Sequence, residues 1–445
     1  MMNMIDTILE GVKASKIAIS DWRLVRKQRT RKEQYFVGSE AEQARLVQET
    51  KYSLTVYVDT IEGDKKFRGE ATVSIQPTLT TDEVSAKIAQ AAYAASKSHN
   101  QWFELPGPAE PKVTIPASGF KALPESQQLV ELRKALFQDV PGSENIVPRI
   151  NSLELFLTYE ENFMLNSKGF SHHSEAWKGY SEFVVDSATP SGPVELFDDI
   201  EFSEPNHERL AKTISTRLAE VQDRAVAVPL PNLKDIPVIL RGKEAEQVFA
   251  WFFHNARTEM VFSKASSFSV GTNVQKNAET DSVQEPLTIW AEPFLPGLPA
   301  STPFDPDGFP LERTLVVENG VLKTLIGSIR HADWLSVPRK GAFPLFSVES
   351  GTMPISEMHA LPYLEPVMFS DFRLDPVTGS FGAEIRLAYY YDGEKRIPVT
   401  GGSISGAVPM LRNTMRCSTE RGIATMSFCP IAVKLEGVSI TGMTE

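Results

Sequence analysis

An α+β fold in two unlike halves follows from three features of this sequence. Up to residue 225, segments with a hydrophobic repeat of three to four residues alternate with segments of repeat two, so the first half mixes helices and strands. Beyond Phe262 the helical repeat nearly vanishes, and short β-rich runs with glycine-containing turns take over. Between the halves, VAVPLPNLKDIP (226–237) places three prolines where no element interior could hold them. The expected organisation is an N-terminal mixed domain over 1–225. A mainly antiparallel β domain over 226–445, carrying one long helix, follows it.

The elements can be justified in order. Residues 1–18 have a mixed-charge helical pattern. Residues 20–77 alternate, and SLTVYVDT (53–60) and GEATVSIQ (69–76) flank a polar turn, as a hairpin would. Thr81 can cap a helix reaching Ser98, with Val84, Ile88, Ala91 and Ala95 on one side. Pro106, Pro108, Pro111, Pro116 and Pro124 mark an extended connector. Glu125–Phe137 reads as a helix. SLELFLTYEENFMLNSKGF (152–170) reads as strand, turn and strand, with NSKG supplying the turn. DSATPSGP (186–193) resembles a linker, and Pro205–Asp223 is a helix with proline in its first turn. Prolines 286, 293, 296, 299, 303, 306 and 310 punctuate a long loop, a length usually associated with function or with disorder. The remaining strands lie in RTLVVENGVLKTLIG, GSFGAEIRLAYYYDGEKRIPV and IAVKLEGVSITG, with ENG and YDG as turns.

Composition excludes several function classes. A net charge of −12 over 445 residues argues against nucleic acid as a partner. The basic run Arg23, Arg26, Lys27, Arg29, Arg31 and Lys32 is expected on a solvated helix or turn face. Two cysteines make no disulfide framework and point to a reducing compartment. No apolar run approaches the roughly 18 residues that span a bilayer, and the N-terminus has no signal-peptide pattern. The expectation is a cytoplasmic protein with no membrane partner.

The informative stretch is Lys243–Phe262, KEAEQVFAWFFHNARTEMVF, which reads as one amphipathic helix. Ala245, Val248, Phe249, Phe252, Ala256 and Met260 form its stripe, with His254 off the stripe and Glu259 toward one edge. Downstream, STPFDPDGFPLERTLVVENGVLKTLIGSIRHADWL (301–335), DPVTGSFGAEIRLAYYYDGEKRIPVTGGSISG (375–406) and CPIAVKLEGVSITG (429–442) follow in an order and spacing that resemble the TldD/PmbA family. LNSKGF (165–170) is similar to that family's N-terminal turn. The resemblance implies a zinc metallopeptidase scaffold acting on peptides and unfolded polypeptides. Catalytic TldD-type members carry His-Glu-x-x-x-His on a helix, with a downstream cysteine, and pair with a TldE-type subunit whose motif is lost.

In this chain the matching residues are His254-Asn255-Ala256-Arg257-Thr258-Glu259. His254 stands at the first ligand, Asn255 replaces the general base and Glu259 replaces the second histidine. An amide has no useful proton affinity near neutral pH, so Asn255 cannot take a proton from metal-bound water. Positions five apart differ by about 140° around a regular helix. With no Gly or Pro between His254 and Glu259, nothing in the sequence suggests the distortion that would bring them together. Glu259 is expected to pair with a cation. Cys417 lies nearer the family's cysteine position than Cys429, but the Gly-rich surroundings are absent and Arg416 abuts it. Cys429 reads as a core residue. His172 and His173 would face opposite sides of a strand, and His331 is expected near a strand end. The expected outcome is a TldE/PmbA-like subunit with no catalytic residue and no metal of its own, the zinc residing in a catalytic partner. Its partners would be a second copy or a TldD-type chain, and a peptide. A metallopeptidase using His254, Glu259 and a further Cys or His is the alternative, and a non-enzymatic modulator is a third reading.

Overall fold

The computed structural model describes residues 4–137, 147–189, 192–205, 207–276 and 282–443. It is an α+β fold. Seven strands form the first sheet: β1 (Asp21–Val37), β2 (Glu40–Glu62), β3 (Lys65–Ile75), β4 (Asn100–Gln101), β5 (Pro148–Asn166), β6 (Ser171–Ser187) and β7 (Val194–Phe202). Their order is β4-β3-β2-β1-β5-β6-β7, all antiparallel. The predicted hairpin is the β2–β3 pair and NSKG turns β5 into β6, but both hairpins are longer than the alternation suggested. DSATPSGP is a hairpin connection, not a linker, because Asp186 and Ser187 still pair with Glu195 and Val194. Pro190 and Ser191 of that stretch, and Asn206 of the predicted 205–223 helix, lie outside the described residues.

Helices cover one face of this sheet. α1 (Met4–Lys13) and α2 (Thr81–Ala95) pack Ile8, Val84 and Ile88 on Leu24, Leu54 and Val56. α3 (Glu125–Leu136) and α4 (His207–Ala225) pack Leu132, Leu210, Ile214 and Leu218 on Leu153, Leu155 and Phe183. The first helix is shorter than the expected 1–18, stopping at Lys13. Thr80, not Thr81, caps α2. Its hydroxyl accepts from the Glu83 amide while its own amide donates to the Glu83 carboxylate, a reciprocal box that only a spacing of three allows.

The basic run lies on β1, not on a helix or turn. Arg26, Lys27 and Arg29 are met by acids of β5, Arg31 by Glu33 on β1 itself, Lys32 by Glu125 and Arg23 by Asp307. Arg29 Nε donates to Glu160 at 2.5 Å, and Lys27 and Lys178 lie 3.3 and 3.2 Å from the same carboxylate. Burial pushes the Glu160 carboxyl up. Asn162, Lys178, Arg29 and Lys27 outweigh burial and hold it at about 2. Glutamate unfolded titrates near about 4.3, so this stabilisation is complete above that pH and is lost as pH falls toward about 2. Urea unfolding between pH 7 and 2.5 should therefore show a steeper acid loss for the native chain than for Glu160→Gln.

The second half is built around α5 (Gly242–Asn255). Two sheets enclose it. One is six-stranded and contributes Ile289, Val317 and Phe346; the other is ten-stranded and contributes Leu240, Leu364 and Ile385. Buried residues occur all round the helix, including Trp251, Phe253 and Asn255, so the six-residue stripe understates its burial. Among the described residues no helix is long and apolar enough to cross a membrane.

Candidate functional site

The predicted single helix is broken where the motif falls. α5 ends at Asn255, Arg257 is extended (φ −81°, ψ 140°), and α6 (Thr258–Phe262) follows. A tertiary contact replaces the missing helical bonds, which explains a break without Gly or Pro. The Thr258 amide donates to Ile326 O at 2.7 Å and the Ile326 amide to Ala256 O at 3.1 Å, a one-residue parallel bridge. Local propensity favoured continuity, and the competing bridge overrides it.

The three motif residues have separate surroundings. Asn255 is 2% exposed, and its amide donates to Trp251 O at 2.9 Å and to Pro376 O at 3.0 Å. The Pro376 bond ties the end of α5 to the 375–379 turn, and the Trp251 bond closes back on the helix itself. His254 is half-buried. Burial, then Arg257, pushes its imidazole below the usual histidine value, while Glu259 and Asp375 oppose this. Among the described residues Glu259 is not paired with a cation, contrary to expectation. Its carboxylate accepts from the Ser328 amide and the Thr258 hydroxyl, both at 3.2 Å. Ser328 precedes α7 (Ile329–Trp334), so the acid satisfies an orphan amide at a helix start.

Gly327 makes this possible. A Cβ there would collide with the Glu259 carboxylate and stand 2.7 Å from the Thr258 hydroxyl, and φ is +124°. Gly327→Ala is expected to cost about 2–3 kcal/mol, through strain and the lost Ser328 bond, in a denaturant titration.

His331 lies on α7, not near a strand end, because Ser328 O takes a helical bond from the Ala332 amide. Its ring packs on Phe262 and Trp334. His331 Nδ1, Ser328 Oγ and Arg257 Nε are buried without a hydrogen-bond partner among the described residues.

The cysteines lie apart from this junction. Cys417 is buried and its amide donates to Glu285 Oε2 at 2.8 Å. Burial, with Glu285 and Cys429 nearby, pushes its thiol well up. Cys429 is a core residue whose thiol burial pushes up to about 12. His254, Glu259 and Cys417 do not form a chelating group. Asn255 has both amide protons committed to carbonyls, and Glu259 is committed to an amide and a hydroxyl. This donor set does not fit a zinc site.

Among the described residues, one His/Glu group has its ligand atoms within 4.8 Å of one another: Glu161, His173 and Glu175. The β5–β6 register places Glu161 opposite Glu175, with His173 two residues before it on the same face. The pairing that the NSKG turn fixes is enough to derive this: strand alternation separates His172 from His173, and the register across the turn sets His173 beside the two acids. Lys121 Nζ lies 2.6 Å from Glu175 and Arg26 3.8 Å from Glu161, so cations of the chain already balance the acids. His173 and Glu175 open onto a groove of about 870 Å³ between β6, the 111–121 connector and the 294–303 part of the proline-rich loop.

Ion pairs join the two halves beside the break. Arg23 meets Asp307, Arg330 meets Glu70, and Trp334 Nε1 donates to Gln101 O at 2.9 Å.

The PmbA/TldA metallopeptidase C-terminal domain family matches residues 233–442. The chain is similar to TldE of Thermococcus kodakarensis, with TM-score 0.74, 17% identity and coverage of 99% of this chain and 100% of that one. It is similar to a candidate DNA gyrase modulator of Thermotoga maritima (TM-score 0.74, 16% identity, 95% and 96% coverage). A candidate DNA gyrase modulator of Bacteroides thetaiotaomicron gives TM-score 0.78, 14% identity and complete coverage of both chains. An uncharacterised protein of Methanocaldococcus jannaschii is 28% identical over 130 residues, which are 24% of this chain and 29% of that protein. Residues 233–442 thus carry that domain, and the chain shares its fold from end to end with these solved structures.

Proposed function

We propose that this chain is a TldE/PmbA-like, non-catalytic subunit of a zinc metallopeptidase that cleaves peptides or unfolded polypeptides. Its halves would be 1–225 and 226–445, it would work in the cytoplasm, and it would pair with a second copy or a TldD-type chain. The zinc would belong to the catalytic partner. One observation carries the reading: at the position of the general base stands a buried amide that spends both protons on Trp251 O and Pro376 O. Such a group can neither accept a proton nor turn toward a metal without breaking the junction. The groove beside the proline-rich loop offers a wall for a peptide.

Metal analysis of the purified chain tests this. Zinc far below one ion per chain is expected, with no chelator-sensitive cleavage of a peptide library by the chain alone. One tightly bound zinc per chain, lost in His254→Ala, would overturn the reading.

A further inference from the structure

Two acids and an imidazole share one face of the β5–β6 ladder beside the 111–121 connector. The Asn166 amide donates to Phe170 O, which makes those two residues a hydrogen-bonded pair. Pair types alternate along an antiparallel ladder. Glu161 and Glu175, five steps further on, are therefore a non-hydrogen-bonded pair, the type whose side chains stand closest. Like charges set directly opposite one another in this way destabilise a sheet. His173 precedes Glu175 by two residues and lies on the same face, while His172 faces the other way. One ligand atom from each of Glu161, His173 and Glu175 lies within 4.8 Å of the other two.

We propose that Glu161, His173 and Glu175 are the ligands of an exchangeable divalent transition-metal ion of the zinc class. The site is separate from the His254 junction and does not rest on the functional reading above.

The donor set selects the ion. One imidazole and two carboxylates suit zinc, and three protein ligands leave a position for water. Magnesium and calcium, which take oxygen ligands, gain nothing from the imidazole. The ligands stand on paired strands and not on a loop, so little ordering is needed when the ion enters. The Tyr159 hydroxyl donates to Glu161 Oε1 at 3.4 Å and can orient that carboxylate, as outer groups around metals do.

The chain's own cations are weak competitors. Arg26 stands 3.8 Å from Glu161, and the Lys121 side chain that meets Glu175 is 60% exposed. An exposed ammonium gains little from one carboxylate, whereas a divalent ion would hold both carboxylates and the imidazole at once. Entry of the ion would release Lys121 from β6. His173 and Glu175 line the groove, so the ion would stand in its wall. Both residues are exposed, so the ion would exchange with solvent and leave during purification. The zinc-poor chain expected above is thus the starting material for the test.

The full chain, dialysed against a chelator, is titrated with zinc chloride alone and read by calorimetry. One ion per chain is expected. His173→Ala and Glu175→Gln should each weaken binding about tenfold or more. His172→Ala and His254→Ala should leave it unchanged. Lys121→Met should tighten it about two- to fivefold, because the competing ammonium is gone. Zinc should also raise the thermal transition of the native chain but not that of His173→Ala, and magnesium should raise neither. Circular dichroism checks that each variant is folded. The proposal is overturned by absence of saturable zinc binding, by binding that persists in His173→Ala, by binding that Lys121→Met weakens, or by binding lost in His254→Ala. Only the last of these would also count against the functional reading.

Discussion

Asn255→Asp is expected to lower the stability of the second half by about 3 kcal/mol, seen as a fall of about 10 °C in its thermal transition. The two side chains have nearly the same shape, so packing around Trp251 and Phe252 is kept. What changes is the hydrogen-bond sense. The amide donates to Trp251 O and Pro376 O; a carboxylate brings a charge and no protons to the same two carbonyls, in a site 2% exposed. Asn255→Ala should cost less, about 1–2 kcal/mol, because it leaves two acceptors short but introduces no charge. If the aspartate variant were as stable as the native chain, the amide would not be holding the 375–379 turn. The same reasoning applies to Asn255→Glu, which rewrites the position toward the family's catalytic motif. The longer acid would enter a space filled by backbone carbonyls, so the expected gain is instability and not a base. The amide at 255 is therefore embedded in packing, and one substitution would not turn the position into a base.

The long, strongly patterned parts of the fold were legible in the sequence. The β2–β3 hairpin, the turn at NSKG, α2, α3 and the proline-bounded connector follow from local chemistry that agrees with its surroundings. The break after Asn255 did not, because its cause is a hydrogen bond to Ile326, far off in sequence, and no residue between His254 and Glu259 signals it. The role of Glu259 was missed for the same reason: its partner is an amide of Ser328, and backbone donors leave no mark in a sequence. The basic run on β1 was misplaced because charge density was read without strand register, which supplies Glu160 as a shared partner for Lys27 and Arg29. In the candidate site, residue types named the side chains to look at, and tertiary contacts showed what each one holds.

Arg68→Met should have the largest effect in the first half, about 3–5 kcal/mol, and the sign of its pH dependence should identify the cause. Arg68 is 1% exposed and reaches both Asp21, at 2.5 Å, and Asp59, at 2.7 Å. The rings of Tyr57, Trp102 and Phe103 lie around its guanidinium. Burial pushes the Asp59 carboxyl up, but bonds from Arg68 and Lys66 hold it below the usual aspartate value. In the native chain this stabilisation is present above about pH 4 and is lost as pH falls through the depressed pKa. Without the guanidinium, Asp21 keeps Lys168 and the Ser167 hydroxyl, and Asp59 keeps Lys66 and the Trp102 indole N–H, at the margin of the apolar rings. Burial then raises the Asp59 pKa, so the variant should become more stable as pH drops from 7 toward 4.5, opposite to the native chain. Urea titrations of both proteins at the two pH values measure this, and Arg68→Lys should recover part of the loss. The consequence should reach the junction of the two halves. Trp102 Nε1 donates to Asp59, Phe103 packs on Trp334, and Trp334 belongs to the helix whose first amide Glu259 holds. A variant that unfolds in two steps, with tryptophan fluorescence changing in the first, would show that this buried arginine anchors α7 as well as the sheet beneath it. A single unchanged transition would confine its role to the sheet.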